Sequence, residues 1–238
     1  MVKIVEYESN FKYEVPKMGC DNMLSKQIKD PLPNSMCPFF CFIGTAGQGK
    51  SSLAISLLTN PNAYHKVFHN IFVVMPPNSR ESIKGNIFKK LPEDQLFDRL
   101  TPSVLQHVKD SCEIESSEGH YTLLFMDDVQ QQLKQKDVQT ILEPLIANRR
   151  HLRLHIWCMC QNYNKMSLNI RKAISNAVIF KPRNKKELNL LFDEIMPHSR
   201  EEVEALAKYI WKEPFSFMFI DTTAGKVYNK FNEIELQE

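Results

Sequence analysis

The chain has little glycine, no long apolar run and, over one stretch, no acidic residue at all. Only seven of its 238 residues are glycine. No apolar run approaches the roughly 20 residues that cross a bilayer, and "MVKIVEYESNF" lacks the apolar core of a signal peptide. The six cysteines have no histidine or cysteine cluster beside them at zinc-ligand spacing. Cys37, Cys41, Cys158 and Cys160 fall inside apolar runs, so buried free thiols in a reducing, intracellular compartment are expected. These absences argue against membrane insertion, a secreted disulfide scaffold and a zinc module. Internal repeats and low-complexity segments are missing too. What remains is 43% hydrophobic and 24% charged, an ordinary balance for a globular domain with one sizeable core.

Charge is small in sum and uneven in place. The net charge is +2, yet Arg149 to Lys186 carries ten Lys/Arg and no Asp or Glu. Residues 187–238 hold five basic and eleven acidic residues. A stretch of that polarity is either a solvated face or a surface for phosphates, and charge alone supports both.

Short, continuously apolar segments alternate with helical ones: "FFCFI" (39–43), "IFVVM" (71–75), "YTLLFM" (121–126), "HIWCMC" (155–160) and "AVIF" (177–180). That alternation predicts an α/β fold whose parallel sheet is covered on both faces. "VKIVEYE" reads as a short strand opening an N-terminal arm, residues 1–36. Residues 37–186 form the core, and 187–238 a helical and hairpin extension packed on it. Thr101-Pro102 begins one helix, Ser199 and Glu202 cap another, and Pro144 is expected to kink or shorten a third. "FSFMFID" and "KVYNKF" flank "TTAG" as a hairpin. Phe215, Phe217 and Phe219 share the parity of a strand with one buried face.

Gly44, Gly47 and Gly49 all lie in "GTAGQGKSS", which matches G-x-x-x-x-G-K-[ST] without a mismatch. Glycines let successive N–H groups curl inward onto phosphate oxygens. Gly44, Thr45, Ala46, Gly47, Gln48, Gly49, Lys50, Ser51 and Ser52 are therefore the expected ATP-binding residues. Lys50 would reach the β- and γ-phosphates, and the Ser51 hydroxyl would ligate Mg²⁺ at a helix N-terminus. A buried strand before the loop and a helix after it supply the context the motif requires. "YTLLFMDD" then ends an apolar strand in two carboxylates. Asp127 is expected to hold the metal opposite Ser51, and Asp128 to polarise the attacking water. Gln161 ends "LHIWCMC" and would sense the γ-phosphate if that strand lies between the loop strand and the Asp127 strand.

With these elements in order, the chain resembles the FtsK–HerA superfamily of P-loop ATPases, and within it the genome-packaging ATPases of large double-stranded DNA viruses and virophages. The likeness spans about residues 37–186 and is carried by "GTAGQGKSS", "LLFMDD", "NRRHLRLHIWCMCQ" and "AVIFKPRNKKE". It implies a three-layer fold of the additional-strand, RecA-like type with a mostly parallel sheet. It implies a homo-oligomeric ring, with ATP and Mg²⁺ at subunit interfaces, that drives double-stranded DNA into a preformed shell through a capsid or portal component. Such a protein would work in the host-cell cytoplasm or a virus factory, or remain with the virion. An arginine reaching the neighbour's γ-phosphate would be Arg150, with Arg149 as the alternative. Lys165, Arg171, Lys172, Lys181, Arg183, Lys185 and Lys186 become candidates for sequence-independent backbone contacts. Two departures stand out. Asp128 occupies a place where many hydrolytic members have Glu, and no N-terminal barrel or C-terminal winged helix is legible.

Two other classes fit the same residues. A nucleoside or nucleotide kinase would use "NRRHLR" as a lid, although that segment precedes a buried strand. A nucleotide-gated assembly protein would bind without appreciable turnover.

Overall fold

The computed structural model describes residues 22–85, 87–196 and 198–236. Cys20 and the strand expected in "VKIVEYE" lie outside them. In chain order the elements are β1 (Phe39–Ile43), α1 (Lys50–Thr59), β2 (Asn70–Val74), α2 (Pro77–Glu81), β3 (Leu96–Phe97), α3 (Pro102–Ser117), β4 (Thr122–Asp127), α4 (Lys136–Asn148), β5 (Leu154–Cys160), α5 (Leu168–Lys172), β6 (Asn176–Phe180), α6 (Lys185–Ile195), α7 (Arg200–Ile210), β7 (Phe217–Asp221), β8 (Lys226–Asn229) and β9 (Asn232–Ile234). One nine-stranded sheet runs β3-β2-β4-β5-β1-β6-β7-β8-β9. The strands from β3 to β6 are mutually parallel, and β7, β8 and β9 continue the same sheet antiparallel from the edge of β6.

Alternation along each strand makes the three layers. Phe39, Cys41 and Ile43 of β1 pack with residues of α3, α4, α6 and α7, while Phe40 and Phe42 pack with Ala54, Leu57 and Leu58 of α1. Both faces of the sheet are apolar because both are covered. Trp157 centres the α1 side, with Tyr64 and Phe40 edge-on at 5.0 and 5.6 Å. The described part of the arm closes this side too. Gln27 Nε2 donates to the carbonyls of Ala63 and His65, and Tyr64 Oη donates to Pro33 O at 2.6 Å. The five cysteines among the described residues are buried, and none is in a disulfide.

Local signals match where a side chain fixes the backbone. Thr101 Oγ1 accepts from Val104 N, and Ser199 with Glu202 forms a complete capping box. Pro144 does not end its helix: α4 continues to Asn148.

His155 in β5 is fully buried against Phe68 and Tyr121, and neither ring nitrogen has a hydrogen-bond partner among the described residues. Burial, and then the nearby Arg149 charge, pushes its imidazole down to about 3. Between about pH 6.5 and that value the unfolded chain takes up a proton that the folded chain refuses, so stability falls as pH falls. At pH 5 this costs about 2 kcal/mol. His155→Phe is therefore expected to raise the melting temperature, and by more at pH 5 than at pH 7.5. An equal gain at both pH values would exclude the titration.

Candidate nucleotide site

The loop between β1 and α1 lies at the C-terminal edge of the parallel strands, beside the ends of β4 and β5. Gly44 N donates to Cys160 O at 3.0 Å, which ties the start of the loop to the end of β5. A Cβ on Gly44 would meet Gln48 Oε1 at 2.6 Å and Phe180 Cβ at 2.7 Å, so no other residue fits without moving the loop. Gly49 caps α1 with φ 96°, a left-handed conformation that costs any L-residue about 1–2 kcal/mol. Gln48 folds back: its Oε1 accepts from Thr45 N at 2.6 Å and its Nε2 donates to Lys181 O at 2.9 Å. Gly44, Thr45 and Gln48 thus brace the loop, whereas Ala46, Gly47, Gly49 and the residues from Lys50 to Ser52 face an open cleft of about 820 Å³.

Lys50 is 7% exposed, and its Nζ donates to Thr45 O at 3.0 Å. Burial lowers its pKa, opposed in part by the Asp127 carboxylate. Asp127 shows the converse: burial raises its pKa, opposed by the Ser51 hydroxyl and by Lys50. Ser51 Oγ donates to Asp127 Oδ2 at 2.5 Å. A hydroxyl and a buried carboxylate in direct contact, beside a lysine short of negative charge, suit a hard cation and a phosphate. Asp128 is exposed, with φ 57°, and accepts from Gln161 Nε2 at 3.4 Å. The strand order meets the condition set for Gln161, since β5 lies between β4 and β1.

The arginines sit elsewhere. Arg149 and Arg150 precede β5 and line a second cleft of about 650 Å³ with Pro38, Ser175 and Asp221, at the opposite edge of the sheet. Seven residues of β5 separate the two edges by roughly 20 Å. Arg149 is built into the fold, with Nε donating to Cys37 O and an Nη donating to Ile146 O, both at 2.9 Å.

The basic stretch divides as well. Lys165, Lys181 and Arg183 are exposed in the connections that follow β5 and β6, and Lys185 and Lys186 are exposed in the first turn of α6, at the nucleotide edge. Lys172 is exposed at the end of α5, three residues before Ser175 at the opposite edge. Arg171 is the most enclosed of the set: its side chain is 15% exposed, pairs with Glu194 at 2.9 Å and lies over the Tyr163 ring, so it ties α5 to α6. Several residues of the cleft carry no motif in the sequence: Ile55, Ser56 and Thr59 of α1, Ser79, Ser82, Ile83 and Lys84 after β2, and Phe215. Phe215 lies outside β7 instead of in the expected strand.

The sheet order, the glycine loop on β1 and the paired carboxylates on β4 define a P-loop nucleoside-triphosphatase fold of the additional-strand type. Residues 34–209 match the family model described as "Poxvirus A32 protein", and the chain belongs to that family. No curated protein matches. Among solved structures, the genome-packaging NTPase B204 of Sulfolobus turreted icosahedral virus 2, in complex with AMP, is 19% identical. It covers 83% of this chain and 98% of its own, with a TM-score of 0.60. B204 of Sulfolobus turreted icosahedral virus, described as a DNA-packaging ATPase, is 16% identical over 80% of this chain and 95% of its own, with a TM-score of 0.62. The type VII secretion ATPase EccC of Thermomonospora curvata is 15% identical, covering 84% of this chain but 24% of its own, with a TM-score of 0.56. The expected resemblance to packaging ATPases of the FtsK–HerA type is borne out. No helix among the described residues is long and apolar enough to cross a membrane.

Proposed function

We propose that the protein is an ATP-driven motor that moves double-stranded viral DNA into a preformed capsid, hydrolysing ATP at the interfaces of a homo-oligomeric ring. One observation carries the proposal: Lys50, Ser51, Asp127, Asp128 and Gln161 converge on one cleft, while Arg150 lies at the far edge of the same sheet. A subunit so built holds a nucleotide but offers its arginine only to a neighbour. The B204 structures, one of them with ATP-γ-S, add support from similar folds that bind nucleotides.

Lys50 and the loop N–H groups bind and orient the triphosphate. Ser51 and Asp127 would hold Mg²⁺, which would supply positive charge against the phosphates. Asp128 takes the proton of the attacking water, and Gln161, already bonded to Asp128, reports whether the γ-phosphate is present. Arg150 of the adjacent subunit completes charge stabilisation, so an isolated subunit turns over poorly. Lys165, Lys181, Arg183, Lys185 and Lys186, at the nucleotide edge, contact DNA phosphates without reading sequence. A capsid or portal component and the host-cell cytoplasm or virus factory follow from the same proposal.

Long double-stranded DNA is expected to stimulate ATP hydrolysis, and the DNA concentration that gives half-maximal stimulation to rise steeply between 50 and 200 mM salt as counterion release predicts, on the order of 10³-fold for about six phosphate contacts. Steady-state phosphate release at varied protein, DNA and salt measures this. Turnover indifferent to DNA but raised by nucleosides would point to a kinase. Binding without turnover in every condition would leave a nucleotide-gated assembly protein.

A further inference from the structure

Phe215 is 69% exposed and holds a left-handed backbone, φ 61°. A bulky aromatic residue rarely adopts that conformation, and this ring is the most exposed large apolar side chain among the described residues. The segment bearing it is nonetheless fixed at both ends. Trp211 Nε1 donates to Ile179 O at 3.2 Å, Ser216 N donates to Glu213 O, and the next residue, Phe217, is buried opposite Phe180 in the β6–β7 ladder. The ring projects over the phosphate loop, with Cδ1 3.7 Å from where a Cβ on Gly49 would stand. Within the cleft, Asp127, Asp128 and Gln161 approach from β4 and β5 on one side of β1, and Phe215 from β6 and β7 on the other. The cleft also takes in Ile55, Ser56 and Thr59 of α1 and Ser79, Ser82, Ile83 and Lys84 beyond β2, and among the described residues Phe215 supplies its one aromatic face, on the side of the loop away from the carboxylates.

We propose that the Phe215 ring is the platform on which the base of a bound purine nucleoside triphosphate stacks. This deepens the nucleotide site proposed above and rests on it. The base is gripped by its π-face, which every purine has, so the ring contributes affinity with little choice between bases. The strained backbone is what lifts the ring out of the core alternation of β7 and into the cleft.

Isothermal titration of the full chain with ATP, GTP and inorganic tripolyphosphate tests this, comparing wild type with Phe215→Ala and Phe215→Trp. Phe215→Ala is expected to weaken ATP and GTP by similar factors, roughly tenfold to a hundredfold, and tripolyphosphate by less than about twofold. Phe215→Trp is expected to keep ATP affinity, and its added indole fluorescence to change with ATP but not with tripolyphosphate. Unchanged ATP affinity in Phe215→Ala overturns the proposal. So does an equal loss of tripolyphosphate, which would mean that the ring merely supports the loop. If the wild-type chain binds neither ATP nor tripolyphosphate, the nucleotide site itself fails, and the platform with it.

Discussion

Replacing Arg150 by alanine is expected to lower DNA-stimulated ATP turnover by about 10³-fold or more, with ATP affinity in each subunit nearly unchanged. The reasoning is geometric. Arg150 precedes β5, whose seven residues hold it roughly 20 Å from the cleft where Gln161 ends that strand. No side chain spans that distance, so any role in hydrolysis is exercised on a neighbour's nucleotide. Arg149→Ala is the informative companion. Its guanidinium holds the Cys37 and Ile146 carbonyls, and losing those charge-assisted bonds costs about 1.5–3 kcal/mol each. It should therefore lower the melting temperature, whereas Arg150→Ala lowers turnover. Turnover rates and thermal melts on both variants separate the roles. A turnover defect confined to Arg149→Ala would reverse the assignment.

Lys50→Ala is expected to reduce turnover by at least about 10²–10³-fold, the scale on which a single group stabilising transition-state charge acts. It should also abolish stabilisation by Mg²⁺-ATP. Burial works against both charges, Lys50 and Asp127, and each only partly relieves the other. A triphosphate supplies the anion Lys50 lacks and a divalent cation the charge Asp127 lacks. At a hundred times the dissociation constant the ligand adds about 2.7 kcal/mol, which for a chain of this length raises the melting temperature on the order of 5–10 °C. Differential scanning fluorimetry with and without Mg²⁺-ATP reads this directly. A shift of equal size in Lys50→Ala would mean that the nucleotide binds elsewhere.

The elements most legible in the sequence were those fixed by backbone chemistry. "FFCFI" becomes β1 with the expected bounds, because five apolar residues between Pro38 and a glycine loop leave no alternative. The phosphate loop and the pair at the end of β4 were readable because each role demands one residue type at one spacing. Whether Gln161 met them depended on strand order, which adjacency in sequence does not determine; the insertion of β5 between β4 and β1 brought them together. β3 was invisible, since two half-buried residues carry no periodicity. The continuation of the sheet through β7 to β9 was read only as a hairpin extension. Phe215 deceived because it shares the parity of Phe217 and Phe219, and only its positive φ breaks the alternation. The ion pair of Arg171 is illegible for a different reason. A count of charge in sequence cannot see Glu194 arriving from α6 to neutralise it.

The central claim is a site shared between subunits, and mixing two inactive variants tests it most directly. Lys50→Ala keeps its arginine and loses its nucleotide site, whereas Arg150→Ala keeps the site and loses the arginine. In a head-to-tail ring formed from equal amounts, roughly a quarter of interfaces unite an intact site with an intact arginine. Hydrolysis of ATP by the mixture in the presence of DNA is predicted to rise well above the sum of the two variants alone. A mixture no more active than that sum, at concentrations where wild-type protein assembles and hydrolyses ATP, would contradict the shared site.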